Sequence, residues 1–223
     1  MDKGLCKQAI TKYLTGVLCV GLLVFLPAGT LAFYNGWLLM SVVCVPILLV
    51  GIMMLVKSPA LLKKRLRAKE IQKEQDLVVK LSGLMFLIGF IVAGLNYRFG
   101  WHMLPKGVSL AAAAVFLAAY LLYAEVMREN AYLSRTIEVQ EGQQVIDTGL
   151  YGIVRHPMYS ATLLLFLSMP LILGSVHAFV IFLVYPFLIA RRIRFEELLL
   201  AEELEGYRAY QEKVRYRLIP FIW

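Results

Sequence analysis

Two polar segments near the carboxyl end of the chain carry residue types that could do chemistry. Residues 140–159 read QEGQQVIDTGLYGIVRHPMY, and residues 191–197 read RRIRFEE; the chain then closes with VRYRLIPFIW. Neither segment holds a Ser/His/Asp or Cys/His arrangement of the kind that activates a nucleophile. An arginine such as Arg192 could instead hold a carboxylate through paired charge-assisted hydrogen bonds, and arginine also binds phosphate.

The same residues also have a purely structural interpretation. Arg192 and Glu196 are four residues apart, so spacing alone allows an ordinary ion pair on a helix surface. Arg155 could simply extend its charge to lipid headgroups. Asn130 either caps a helix or lines the site. A structural role, at headgroups or in packing, is expected for Arg191, Arg194, Tyr207 and Tyr210.

The composition indicates that these segments belong to a membrane protein. The chain has 223 residues, is 60% hydrophobic and has a mean hydropathy of +0.71, whereas soluble domains average about 45–50% apolar residues. Basic loops facing the cytosol account for the net charge of +8, so we expect no nucleic-acid partner. The three cysteines form no CxxC pair, and we expect neither a disulfide nor a metal site.

Four apolar blocks predict four full membrane-spanning helices. They run over about residues 10–33, 37–56, 77–97 and 108–127. Each block reaches the roughly 20 residues that a helix needs to cross the hydrocarbon core. Only helices or closed barrels satisfy the backbone in lipid, and no period-two alternation is present, so the predicted fold class is all-α integral membrane. We expect a single domain, with a transmembrane part at 1–127 and a catalytic region at 128–223.

The last apolar region, residues 159–190, is too short for two full spans and too long for one. Gly174 and Ser175 lie near its middle. Two helices of roughly 22–24 Å each would fit, at 1.5 Å per residue. We therefore predict a helical hairpin that enters the membrane and returns to the same side, which brings the two polar segments together.

The distribution of Lys and Arg predicts the orientation of the chain. Basic residues concentrate before the first block, in the loop at 57–76 and after Met127, and are scarce elsewhere. Both termini and the active site are thus expected on the cytosolic side. The loop at 57–76 is expected to be an interfacial helix among anionic headgroups. Its lipid-facing residues would be Leu61, Leu62, Leu66 and Ile71.

The polar segments resemble those of the isoprenylcysteine carboxyl methyltransferases and their prokaryotic relatives, which share this region with phospholipid methyltransferases. The shared order is TG-x-Y-x-x-V-RHP-x-Y, a hairpin, R-x-x-x-EE-x-x-L, Y-x-x-Y and V-x-x-R-x-x-P. Here it appears as TGLYGIVRHPMY, RIRFEELLL, YRAY and VRYRLIP. The resemblance covers roughly residues 129–223, and the ordered set is more specific than any one motif.

The resemblance implies a methyltransferase that uses S-adenosyl-L-methionine. Carried over residue by residue, it implies that Arg192 meets the substrate carboxylate. The cofactor would be bound by Gln140, Gln143, Gln144, Val145, Ile146, Tyr151, His156, Pro157, Met158, Tyr159 and Glu196. The implied partners are membrane lipid and a lipophilic or prenylated substrate.

Methyl transfer to a carboxylate is compatible with this residue set. A carboxylate is already ionised near neutral pH and needs no general base, so positioning should supply most of the rate. Within the same class, N-methylation of a phospholipid amine and S-methylation of a small thiol stay open. A different class, an NADPH-dependent membrane reductase of the sterol-reductase type, also stays open because such enzymes resemble the same carboxyl-terminal region.

Overall fold

The computed structural model describes residues 3–67, 73–130, 132 and 139–223. The helices in chain order are α1 (Lys3–Ala28), α2 (Tyr34–Lys57), α3 (Pro59–Arg67), α4 (Lys73–Arg98), α5 (Lys106–Glu129), α6 (Pro157–Ile172), α7 (Val176–Phe182), α8 (Tyr185–Glu203) and α9 (Tyr207–Lys213). The described residues contain no β-strand, only an isolated bridge between Met103 and Ser175. The predicted all-helical fold is confirmed.

The long helices have the length and surface that a bilayer requires. Five stretches of the described chain are long and apolar enough to cross a membrane: within α1, within α4, the whole of α2 and α5, and the continuous run Val176–Glu203. On α1, large apolar side chains recur every four residues and stay exposed. These are Leu14, Leu18, Leu22 and Leu26. An apolar stripe of this kind is unfavourable in water and fits a lipid-facing surface.

Successive long helices run in opposite directions, so their connections lie at two ends of the bundle. The proximal end holds the start of α1, the end of α2, the end of α5 and the end of α8. The distal end holds the α1–α2, α4–α5 and α6–α7 connections. Helix α1 packs on α4, and α5 packs on α6. Which side of a membrane each end faces stays a prediction.

The predicted hairpin is present, but its two arms are unequal. The outgoing arm α6 has 16 residues, or about 24 Å at 1.5 Å per residue. The return arm through α7 and α8 extends over 28 residues, so the expectation of two short arms is wrong for this arm. That expectation counted only apolar residues, whereas the helix continues through Arg191–Glu203, because charged residues with long side chains are good helix formers.

The hairpin also reaches the distal end of the bundle. Leu104 N donates to Gly174 O at 2.9 Å, which joins the hairpin turn to the α4–α5 connection. Asn35 Nδ2, at the start of α2, donates to Ser109 Oγ and to Ile172 O, both at 2.8 Å. These buried polar contacts fix the depth of α6, and therefore the position of its first residues at the proximal end.

The predicted interfacial helix at 57–76 is described in part. Helix α3 covers Pro59–Arg67, and residues 68–72, including Ile71, lie outside the described residues. Leu62 is buried with Leu5 and Met54, which attaches α3 to α1 and α2. Leu62 thus packs against protein rather than facing lipid.

Gly94 sets the close contact between α1 and α4. A Cβ at this position would lie 2.7 Å from Val24 O and 3.0 Å from Ala28 N, and backbone atoms cannot rotate aside. We predict that Gly94→Ala destabilises the bundle by roughly 1–3 kcal/mol, despite the better helix propensity of alanine. The temperature of thermal unfolding in detergent measures this loss of stability.

Gly83→Ala is the matched control on the same helix, because a Cβ at Gly83 meets no atom within 4 Å. This control should unfold at the wild-type temperature or slightly above it. If the two alanine variants unfold at the same temperature, the close contact does not limit packing.

Candidate active site

One pocket at the proximal end brings together most of the predicted site residues. Its walls come from the segment before α6, from the first turn of α6, from α8 and from α9. The predicted residues that line it are Gln143, Gln144, Val145, Ile146, Tyr151, His156, Met158, Tyr159, Arg192 and Glu196. Further lining residues are Asn130, Tyr132, Arg155, Leu200, Leu204, Tyr207 and Tyr210.

Two predicted residues, Gln140 and Pro157, do not line this pocket. Gln140 instead contacts two residues that line it. Its backbone N–H donates to Gln143 Oε1 at 2.9 Å, and its side chain donates to Tyr132 O at 2.6 Å. Pro157 is buried at the first position of α6, where a missing N–H costs nothing. Both residues shape the site through their neighbours.

The polar centre of the pocket is a cluster between α6 and α8. Tyr159 Oη donates to Glu196 Oε2 at 2.5 Å and accepts a hydrogen bond from Arg192 Nε at 2.9 Å. His156 Nδ1 lies 3.8 Å from Glu196 Oε1. Arg192 and Glu196 are therefore linked through the Tyr159 hydroxyl, and the interpretation as a simple surface pair does not describe them.

Glu197, the residue after Glu196, is buried and does not line the pocket. Its carboxylate instead pairs with two arginines. Its Oε1 lies 2.7 Å from Arg155 Nε, and its Oε2 lies 2.7 Å from Arg217 Nε. His156 Nε2 is 3.3 Å from the same Oε1. The carboxylate thus ties the RHP motif and the carboxyl-terminal segment to α8.

Backbone contacts reinforce this attachment of the carboxyl-terminal segment. The N–H groups of Arg155 and His156 donate to Tyr216 O at 2.8 Å and to Arg217 O at 2.9 Å. Ser160 Oγ donates to Leu218 O at 2.6 Å. The V-x-x-R-x-x-P motif therefore runs alongside the RHP motif and holds it at the start of α6.

The segment between α5 and α6 is fixed at its TG-x-Y motif. Gly149 has a φ of +50°, and a Cβ there would lie 1.4 Å from Glu129 Oε1. Glu129 Oε2 accepts a hydrogen bond from Leu150 N at 3.0 Å. Tyr151 Oη accepts from Asn130 Nδ2 at 3.0 Å. Glycine is required here because only it permits both the left-handed backbone and the approach of the carboxylate.

Several polar groups of the pocket wall have no partner in the described part of the chain. The backbone N–H groups of Gln144, Val145 and Ile146 make no hydrogen bond there. The Tyr207 hydroxyl is buried and likewise unpartnered. Burial raises the pKa of Tyr207, and the Glu197 and Glu196 carboxylates raise it further, so the hydroxyl keeps its proton at neutral pH. Buried polar groups normally have partners, so the Tyr207 hydroxyl suits a polar ligand, and the N–H groups at 144–146, on exposed or half-buried residues, are available as further donors.

Sequence reasoning missed or left open three features of the site. Arg155, for which headgroup contact stood open, is 7% exposed and paired with Glu197. Asn130 both ends α5 and lines the pocket. Tyr207 and Tyr210, expected only to pack, also line the pocket. For Arg155, the available signal was the acidic pair at 196–197. Neighbouring helix positions point about 100° apart, so the second carboxylate must face a different partner from the first.

We predict that Glu197→Gln destabilises the protein by roughly 3–5 kcal/mol, because it leaves two guanidinium groups without their anion in a largely buried place. Thermal unfolding in detergent is the measurement. Glu202→Gln removes an exposed carboxylate from the same helix and should unfold like the wild type. Equal stability of the two variants would show that Glu197 does not hold the segments together.

Comparison with known proteins adds three kinds of match: a family model, a curated relative and a solved structure. Residues 105–205 match the family model described as phospholipid methyltransferase. The chain is also 33% identical over 91 residues to the Delta(14)-sterol reductase of Mus musculus. That alignment covers 40% of this chain and 22% of the reductase, so the chain spans about a fifth of this relative.

A solved structure shares the fold over most of the chain. The eukaryotic intramembrane Ras methyltransferase, isoprenylcysteine carboxyl methyltransferase, superposes with a TM-score of 0.56 at 17% identity. The similarity covers 92% of this chain and 73% of that one. Residues 105–205 are thus similar to phospholipid methyltransferases, the chain shares its fold with isoprenylcysteine carboxyl methyltransferase, and the resemblance predicted from the motifs is confirmed.

Proposed function

We propose that this chain is an integral membrane methyltransferase that uses S-adenosylmethionine to methylate a lipophilic acceptor, with a carboxylate such as that of a prenylcysteine as the favoured group. One observation carries the proposal. Arg192 and Glu196, one turn apart on α8, line the same pocket as His156 and Tyr159 at the start of α6. This pocket lies where lipid-facing helices end, within reach of both an aqueous cofactor and a bilayer substrate.

The pocket wall fits S-adenosylmethionine in its donor and acceptor groups. The unpartnered N–H groups at 144–146 can donate to ribose, adenine or carboxylate oxygen and nitrogen atoms. Glu196 can accept hydrogen bonds from an amino group or from ribose hydroxyls. The apolar side chains of Leu200 and Leu204 provide a face against which a flat ring can pack. We propose that these residues, with the others predicted, hold the cofactor.

S-adenosylmethionine, when bound, supplies a methyl group on a sulfonium, whose transfer to a carboxylate oxygen leaves S-adenosylhomocysteine and a methyl ester. The guanidinium of Arg192 would hold the acceptor carboxylate beside this methyl group. Tyr159 fixes Arg192 through its hydroxyl, which limits the positions that the acceptor can take. Positioning by such contacts is the main source of rate in this type of reaction.

The acceptor stays open within the methyltransferase class. Arg192 favours an anionic group, which a carboxylate or a phospholipid phosphate both provide. An amine or thiol acceptor must lose a proton during the reaction, and Glu196 is the carboxylate that meets the Tyr159 hydroxyl in the cluster. A direct comparison of acceptor classes is therefore part of the test below. The basic loops favour an active site on the cytosolic side.

An NADPH-dependent reductase is the second candidate, supported by the partial match to the mouse sterol reductase. The polar groups and arginines of the pocket are compatible with either S-adenosylmethionine or NADPH. The two cofactors differ in charge, because NADPH carries three phosphates and S-adenosylmethionine carries none. Binding therefore separates the candidates.

We predict that the detergent-purified protein binds S-adenosylhomocysteine in calorimetric titration and does not bind NADPH. Glu196→Ala should weaken S-adenosylhomocysteine at least about tenfold, because hydrogen bonds to a charged group contribute roughly 1.5–3 kcal/mol. Glu203→Ala, an exposed change on the same helix, should not. Binding of NADPH without S-adenosylhomocysteine would replace the methyltransferase by the reductase.

We further predict that Arg192→Ala lowers methyl transfer to prenylcysteine at least a hundredfold and leaves S-adenosylhomocysteine binding within about threefold, because Arg192 meets the acceptor. Transfer of radiolabelled methyl groups to prenylcysteine, phospholipid amine and thiol acceptors in vesicles is the measurement. Arg194→Ala, exposed on the same helix, should retain activity. Undiminished transfer by Arg192→Ala would remove Arg192 from the site.

A further inference from the structure

The Tyr207 hydroxyl is the one buried side-chain polar atom in the described part of the chain that has no hydrogen-bond partner. The residue is 4% exposed and lines the pocket. Burying a hydroxyl without a partner costs free energy, and a native structure seldom keeps such a group without a reason. An acceptor brought by a ligand would remove that cost.

Local structure holds Tyr207 firmly in this place. Gly206, with a φ of +82°, turns the chain so that Tyr207 begins α9. The Tyr207 ring then packs with Leu204, Tyr210 and Val214 against Val145 of the opposite wall. The hydroxyl is thus prepositioned at the pocket rather than free to turn to solvent.

Tyr210, three residues later on the same helix, provides the contrast. Its ring is equally buried, 5% exposed, and lies 5.7 Å from the Tyr207 ring. Its hydroxyl donates to Tyr151 O at 2.7 Å and so closes the pocket wall within the protein. Two neighbouring tyrosines with the same burial therefore differ in one respect: only Tyr210 has a partner.

We propose that Tyr207 Oη donates a hydrogen bond to the nucleoside part of S-adenosylmethionine, as a specificity-determining residue of the pocket. This inference rests on the proposed function and names a contact absent from the residues that the motifs predicted. Tyr207 stands among Val145, Leu200 and Leu204, which form the apolar part of the wall. That surface suits the flat adenosine group.

The polar cluster lines the same cavity. Arg192, Tyr159 and Glu196 are the residues expected near the acceptor and the sulfonium. With the reacting end of the cofactor there, the apolar wall formed by Val145, Leu200, Leu204 and the Tyr207 ring is left for the nucleoside. The hydroxyl keeps its proton at neutral pH because burial raises its pKa, so Tyr207 acts as a donor toward a ribose oxygen or a ring nitrogen.

The test compares Tyr207→Phe with the matched control Tyr210→Phe in the full chain. Unfolding without ligand is followed by heating in detergent, and affinity is measured by calorimetric titration with S-adenosylhomocysteine and with methylthioadenosine, which retains the nucleoside but lacks the amino-acid group. Tyr207→Phe should unfold at or above the wild-type temperature, because it removes an unsatisfied hydroxyl. It should weaken both ligands by a similar factor, roughly three- to tenfold.

Tyr210→Phe should show the opposite pattern in the unliganded protein. It leaves Tyr151 O without its donor and should lower the unfolding temperature. Undiminished affinity of Tyr207→Phe for S-adenosylhomocysteine would overturn the inference while leaving the proposed function intact. A loss confined to S-adenosylhomocysteine, with methylthioadenosine unaffected, would overturn the assignment to the nucleoside. A wild-type protein that binds neither ligand would instead overturn the proposed function.

Discussion

The buried carboxylate of Glu197 is the interaction on which the proximal end of this protein depends. Arg155 and Arg217 approach it from different segments, each at 2.7 Å, and His156 is 3.3 Å away. An unpaired buried charge is strongly unfavourable, so the three segments must come together for any one of them to fold in place. Well-packed apolar residues would match the net stability of such a cluster, but the loss of one charged partner is costly, and this cost favours one arrangement of the segments.

The neighbouring residue shows how this arrangement produces a site. Glu196 points about 100° away from Glu197 around α8 and meets Tyr159 instead of the arginines. The structural carboxylate thereby positions the one that lines the pocket. Helix α8 serves both roles because the return arm of the hairpin continues beyond the apolar region without a break, which places charged residues where the apolar part of the helix ends.

The two ends of the bundle divide the structural requirements between them. At the distal end, Asn35 and Ser109 hold the end of α6 through hydrogen bonds to Ile172 O at 2.8 Å and to Leu171 O at 3.1 Å, and these fix the depth of α6. At the proximal end, irregular chain between helices supplies backbone N–H groups and side chains that regular helices would have paired internally. A rigid distal end thus permits an open, polar proximal end, as ligand sites require.

The sequence by itself determined the class of the fold and the motifs of the site. Long apolar blocks leave helices as the solution in lipid, and the ordered motifs predicted the resemblance to membrane methyltransferases and ten of the residues that line the pocket. Only the tertiary structure decided the length of the return arm, the burial of Arg155 and the separate roles of Glu196 and Glu197. It also separated Tyr207 from Tyr210, which look equivalent in YRAY. The reason is physical: motif and periodicity report on neighbours along the chain, whereas burial and hydrogen-bond partners depend on segments about 40 to 60 residues away.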